Sequence, residues 1–146
     1  MRHRNRWMVV AVITAAVGLA ACTPVSTDYE REHEPAEAEP IEGTELSRLT
    51  VEEKAAERLG IRTASVRAGT DGTNLKVIPY AAVLYDAEGV TWTYTNPEPL
   101  TFIRDRISVD SIKGDQAFLS EGPAPGTAVV TVGVAELFGI ETGVGH

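Results

Sequence analysis

The chain has 146 residues, room for one modest domain and a tail, and its formal net charge is −8. An acidic balance of this size excludes nucleic acid as a partner, because phosphates demand a basic face. Its single cysteine, Cys22, excludes an internal disulfide framework, so a hydrophobic core must hold the fold.

Residues 1–21 begin MRHRNR, with Arg2, Arg4 and Arg6, and continue as the apolar run WMVVAVITAAVGLAA. A positive segment before an apolar stretch too short to span a bilayer comfortably is the pattern of a secretory signal. The run ends Leu19-Ala20-Ala21-Cys22. Small residues directly before a lone cysteine resemble the lipobox of bacterial lipoproteins. That resemblance implies cleavage between Ala21 and Cys22, diacylglycerol on the Cys22 thiol and often a further acyl chain, such as palmitate, on the new amino terminus. It places the chain in the cell envelope, lipid-anchored to a bacterial membrane and facing the periplasm or exterior. Two or more acyl chains anchor stably where one is marginal. Thr23, in place of the Asp that marks inner-membrane retention in that family, points to the outer membrane. Loss of the three arginines leaves ten basic against 21 acidic residues, a net charge of −11. Acyl chains rather than charge must then hold the chain at a lipid surface.

After the cysteine, residues 22–48 are rich in Glu, Pro and Thr and nearly free of large apolar side chains. Such a segment buries too little surface to offset its ordering entropy and is predicted to be a disordered, self-repelling tether. His33, between Glu32 and Glu34, has no second His or Cys near it to make a metal site.

The folded part is predicted to occupy residues 49–146. Thr50 and Glu53 have capping-box spacing, and EEKAAERLG reads as a short helix stopped by Gly60, with Val51, Ala55, Ala56 and Leu59 on one stripe. Residues 61–66 alternate as a strand, and GTDGTN at 69–74 is a connection. Further strands are predicted at 75–85, 90–95, 101–109, 116–120 and 127–134, with turn chemistry at 86–89, 96–99, 113–115 and 122–126. Pro79 belongs at an edge or a bulge. These signals predict an all-β fold, a small barrel or sandwich of about six strands, with one short helix at its start.

Catalytic chemistry finds no support in these residues. Residues 49–146 contain no Cys and only His146, so a Ser-His-Asp constellation would have to use that terminal residue, and a Cys/His metal centre is excluded by count. The carboxylate pairs Asp86/Glu88 and Asp110/Asp115 lie in or near turns, where acids serve as solvated turn-formers. No glycine loop leads into a helix to cradle a phosphate. The expectation is a non-enzyme with no metal and no cofactor. In TWTYT (91–95), Trp92 and Tyr94 share one face and the three threonines the other. Such a pair packs as a cross-strand lock with a neighbour such as Phe102, or offers an aromatic contact to a partner.

Residues 77–139 carry an ordered series: Val-Ile-Pro leading into Ala-Val-Leu, then Asp86, Gly89, Trp92 and Tyr94, then Phe102, Arg104 and Arg106. Gly114-Asp115, Glu121-Gly122, Pro125-Gly126, Val129-Val130, Gly133 and Ala135-Glu136-Leu137 follow. The series resembles the C-terminal, membrane-proximal region of periplasmic adaptor proteins, the membrane fusion proteins of RND-type efflux pumps. Residues 49–66 resemble the piece near the start of the same proteins. In that family the two pieces form one β-domain beside the inner membrane, and a barrel, a lipoyl-like domain and an α-hairpin are inserted between them. Here the connection is GTDGTN, and no heptad stretch supplies a hairpin. The resemblance implies a non-catalytic accessory of an efflux transport system, partnered by an RND- or ABC-type transporter or a full-length adaptor. Arg104, Arg106, Trp92 and Tyr94 are the expected contact residues. The alternative is a small ligand- or metal-binding lipoprotein of the envelope.

Overall fold

The computed structural model describes residues 35–70 and 74–143. The signal-like segment, Ala21 and Cys22, His33 and His146 lie outside the described residues.

The described fold begins inside the segment expected to be a tether. Strand β1 (Ala36–Pro40) pairs antiparallel with β2 (Ser47–Val51), Ala36 opposite Val51 and Pro40 opposite Ser47. Average composition concealed a period of two. In AEAEP the small apolar residues alternate with Glu, and Ala36 packs against the core. The predicted capping box does not form either. Thr50 is a strand residue, Val51 is 1 % exposed, and the N–H of Val51 donates to the Leu100 carbonyl at 2.9 Å. The helix α1 (Glu53–Leu59) therefore has Glu52 rather than Thr50 at its N-cap, with no side-chain cap bond. Its end matches expectation: Gly60 is left-handed (φ 64°), and Ile61 N–H closes on the Ala56 carbonyl at 3.1 Å.

Next come β3 (Arg62–Ser65) and β4 (Arg67–Ala68), then β5 (Lys76–Pro79). The long strand expected at 75–85 is broken by a 3₁₀ turn at Tyr80–Ala82 before β6 (Leu84–Tyr85). Pro79 is the last residue of β5, beyond its short pairing with β4, where a missing N–H costs no ladder bond on that side. Strand β7 (Thr91–Glu98) runs through Asn96-Pro97 and turns at Leu100, which holds a left-handed φ of 61°. The stretch 101–109 is two strands, β8 (Thr101–Arg106) and β9 (Ser108–Lys113), that separate at Ile107 and join different sheets. Strand β10 (Gln116–Glu121) and β11 (Ala128–Val132) follow. The predicted run to 134 instead becomes a second helix, α2 (Val134–Thr142).

The fold is mostly β: among the described residues there are eleven short strands in two sheets, with two short helices. The larger sheet has the order β1-β2-β8-β7-β11-β3, with β6 also on β7; the smaller is β4-β5-β10-β9. Each face of the larger sheet covers its own core. On one side Leu49, Val51, Tyr94, Phe102 and Val130 meet Ala55 of α1 and Leu137 of α2. On the other, Val129 joins Ile78, Ala117 and Leu119 of the smaller sheet, with Val66, Ala82 and Ile107. Full burial of such side chains is worth about 1.5–3 kcal/mol each before chain entropy is counted.

Candidate functional site

The turn at 86–89 builds the first part of the site. Asp86 Oδ1 accepts the N–H groups of Glu88 at 3.1 Å and Val90 at 2.7 Å, while Oδ2 accepts the indole N–H of Trp92 at 2.8 Å. The bond from Trp92, followed by those backbone donors, holds the Asp86 carboxyl below its ordinary pKa, against its partial desolvation. The same residue thus shapes the turn and sets the tilt of the indole.

Antiparallel register carries the arrangement across to β8. Trp92 lies opposite Arg106, and Tyr94 opposite Arg104, so all four share one face of the sheet. Arg104 fills the space between rings. Its guanidinium carbon is 4.3 Å from the Trp92 ring centre and 5.6 Å from that of Phe138 on α2. Its Nε lies 3.3 Å from Glu141 Oε2, with side-chain exposures of 13 % and 4 %. Among the described residues that Nε has no partner in hydrogen-bond geometry, so its contact with Glu141 is a coulombic pair rather than a directed bond. The Tyr94 hydroxyl donates to the same Oε2 at 2.5 Å, and the backbone N–H of Ser47 reaches Oε1 at 3.4 Å. Burial first, and then the Glu141 carboxylate, push the Tyr94 phenol far above its ordinary range.

Trp92, Tyr94 and Arg104, all singled out from sequence, are thus brought into one cluster. Arg106 stands exposed at the end of β8. Phe102 shares the core with Tyr94, but the residue directly across from Tyr94 is Arg104. Glu141 and Phe138 were missed. Their signal was the helical spacing of Val134, Leu137, Phe138 and Glu141, which Gly139 and the preceding β-branched run obscured. Of the acids weighed as pairs, Asp86 is engaged in its turn and Glu88, Asp110 and Asp115 are exposed.

Chemically, the cluster is an anchor. A buried carboxylate gathers a phenol, a guanidinium and a backbone N–H, and so ties α2 to β2, β7 and β8. Among the described residues no three His, Cys, Asp or Glu side chains stand together as a metal site, and no helix is long and apolar enough to cross a membrane. Fold and cluster together define a mostly-β, two-sheet protein with an aromatic–cation stack. In comparisons with known proteins, no family model matched the chain, and searches of curated proteins and of solved structures found no significant match.

Proposed function

We propose that the chain is a non-catalytic, lipid-anchored envelope protein whose β-domain serves a membrane efflux transporter as an accessory, in the manner of the membrane-proximal region of efflux adaptors. One observation carries the reading: the two stretches that resemble adaptor sequence interleave in one sheet. Strand β2 of the first stretch pairs with β8 of the second, and β3 pairs with β11. The connection between them, where adaptors insert their further domains, is pinned by Gly69 N–H donating to the Leu75 carbonyl at 2.7 Å. Arg106 and the outer edge of Trp92, next to the anchored Arg104, form the surface offered to the transporter or to a full-length adaptor.

The test is crosslinking of the intact lipidated chain in its native membrane, followed by purification. Recovery of an RND- or ABC-type permease, lost on Arg106→Glu with the melting temperature held within a few degrees, supports the reading. A clean failure to recover any transport component sinks it. Labelling with an acyl-chain probe checks the anchor separately: incorporation into the wild type and none into Cys22→Ser is expected.

A further inference from the structure

The six-strand path of the larger sheet has two open ends of opposite charge. At one end β1 has no strand beyond it among the described residues, and at the other neither has β3. Donation from Glu52 N–H to the Pro35 carbonyl at 3.0 Å and from Ile41 N–H to the Leu46 carbonyl at 2.9 Å turn the odd-numbered residues of β1 inward. The backbone groups of Ala36 and Ala38 therefore point out of the sheet. At β3, Val66 N–H donates to the Thr127 carbonyl at 2.8 Å, and Val66 accepts from Gly126 N–H at 2.8 Å. By the same alternation, the backbone groups of Thr63 and Ser65 point outward. Each edge thus presents two residues' worth of donors and acceptors at the same spacing.

Charge distinguishes the edges. Along β1 and its turn lie Glu37, Glu39, Glu42 and Glu45, all exposed, against one cation, Arg48, opposite Glu39 on β2; on β3 and β4 lie Arg62 and Arg67, also exposed, with no acid on either strand. Two β1 edges would set glutamates against glutamates, which disfavours that pairing. Strand direction also agrees. All five pairings along the path are antiparallel, so with six strands β1 and β3 run in opposite senses. A copy moved along the sheet without being turned over therefore brings its β1 antiparallel to β3 of the first.

From this geometry we propose that the chain associates head to tail with a second copy, the acidic β1 edge of one docking on the basic β3 edge of the other. The contact is heterologous, so it propagates into a ring or an open row rather than stopping at a symmetric dimer. It is independent of any transporter.

A charge-swap experiment on the full chain tests it. Two differently tagged copies are mixed in mild detergent, and recovery of one through the tag of the other is measured. Wild type is expected to recover wild type at about 0.05 M salt and far less at about 0.5 M. Glu37→Lys/Glu39→Lys alone and Arg62→Glu/Arg67→Glu alone are each expected to lose about tenfold or more in self-recovery. Mixed with each other, the two variants restore it, because each offers the other an oppositely charged edge. Glu37→Gln/Glu39→Gln, a milder change, gives an intermediate loss and serves if a reversal fails to fold. Equal recovery of every variant means shared micelles and overturns the proposal. So does failure of the mixed pair to recover when both variants melt like wild type.

Discussion

The two faces of β7 lead into two different kinds of core. Trp92 and Tyr94 face the helices, where a carboxylate, a guanidinium and a phenol are drawn into an otherwise apolar layer. Thr91, Thr93 and Thr95 face the smaller sheet, on the side where Val129 lies opposite Thr95 and the surroundings are aliphatic. There the hydroxyls of Thr91 and Thr95 donate to the Ile107 and Ile103 carbonyls across the ladder, at 2.7 and 3.0 Å, while that of buried Thr93 has no partner among the described residues. A sheet-to-sheet core needs only matching shape, since both sheets already have their backbone bonds. A nine-residue helix laid on a sheet has no ladder to hold it, and its directional anchor is Glu141.

The contrast can be broken at its strongest point first. Glu141→Leu leaves the Arg104 guanidinium buried without its acid and is expected to cost about 3–5 kcal/mol in denaturant unfolding. Replacing both partners, Arg104→Met with Glu141→Leu, should return most of that loss; if it does not, the pair is not what holds α2.

Leu137→Ala and Leu119→Ala come next, one in each core, and each should cost about 3 kcal/mol. Hydrogen exchange separates the two cores: Leu137→Ala should speed exchange selectively in α2, and Leu119→Ala in β5 and β10. Uniform acceleration in both would mean that the cores unfold as one.

Tyr94→Phe is smaller, about 1–2 kcal/mol at neutral pH. Because the folded-state pKa of Tyr94 is raised, its contribution is complete below the ordinary tyrosine value near 10 and fades as pH rises above it. The variant should therefore lose less stability between about pH 10 and 11 than the wild type does. In acid the signs differ between two carboxyls. Asp86, lowered chiefly by the Trp92 bond, loses its stabilising effect as pH falls through its folded pKa; Asp105, raised by desolvation, favours the fold more once protonated. Smallest of all, Thr93→Val removes an unpartnered buried hydroxyl and should be neutral or stabilising by up to about 1 kcal/mol, read as a shift in denaturant midpoint.

Much of the architecture was legible in the residues. Asp86 and Gly89 at one turn, Lys113-Gly114-Asp115 at another and Gly60 after α1 stand where turn chemistry puts them, because their backbone demands are local. Alternation in TWTYT placed Trp92 and Tyr94 together for the same reason. Local rules misled at Thr50. Its capping-box spacing was genuine, but pairing with Thr101 on β8 and burial of Val51 outweighed a cap worth about 1 kcal/mol. At β1 the period of two spans only five residues inside an acidic, Pro-containing run, and they form a strand through the partner that β2 provides.

The chain's own residues carried the class of the molecule: an acidic, mostly-β domain. Only the tertiary structure decided that Arg104 belongs to Glu141, that Trp92 takes its tilt from Asp86, and that the sheet ends in one acidic and one basic edge. The first two join residues 37 and six positions apart along the chain, and the third depends on strand order, so periodicity cannot report them. Period and turn signals arise within a few residues, whereas partner choice is settled by which surfaces meet when the two cores close.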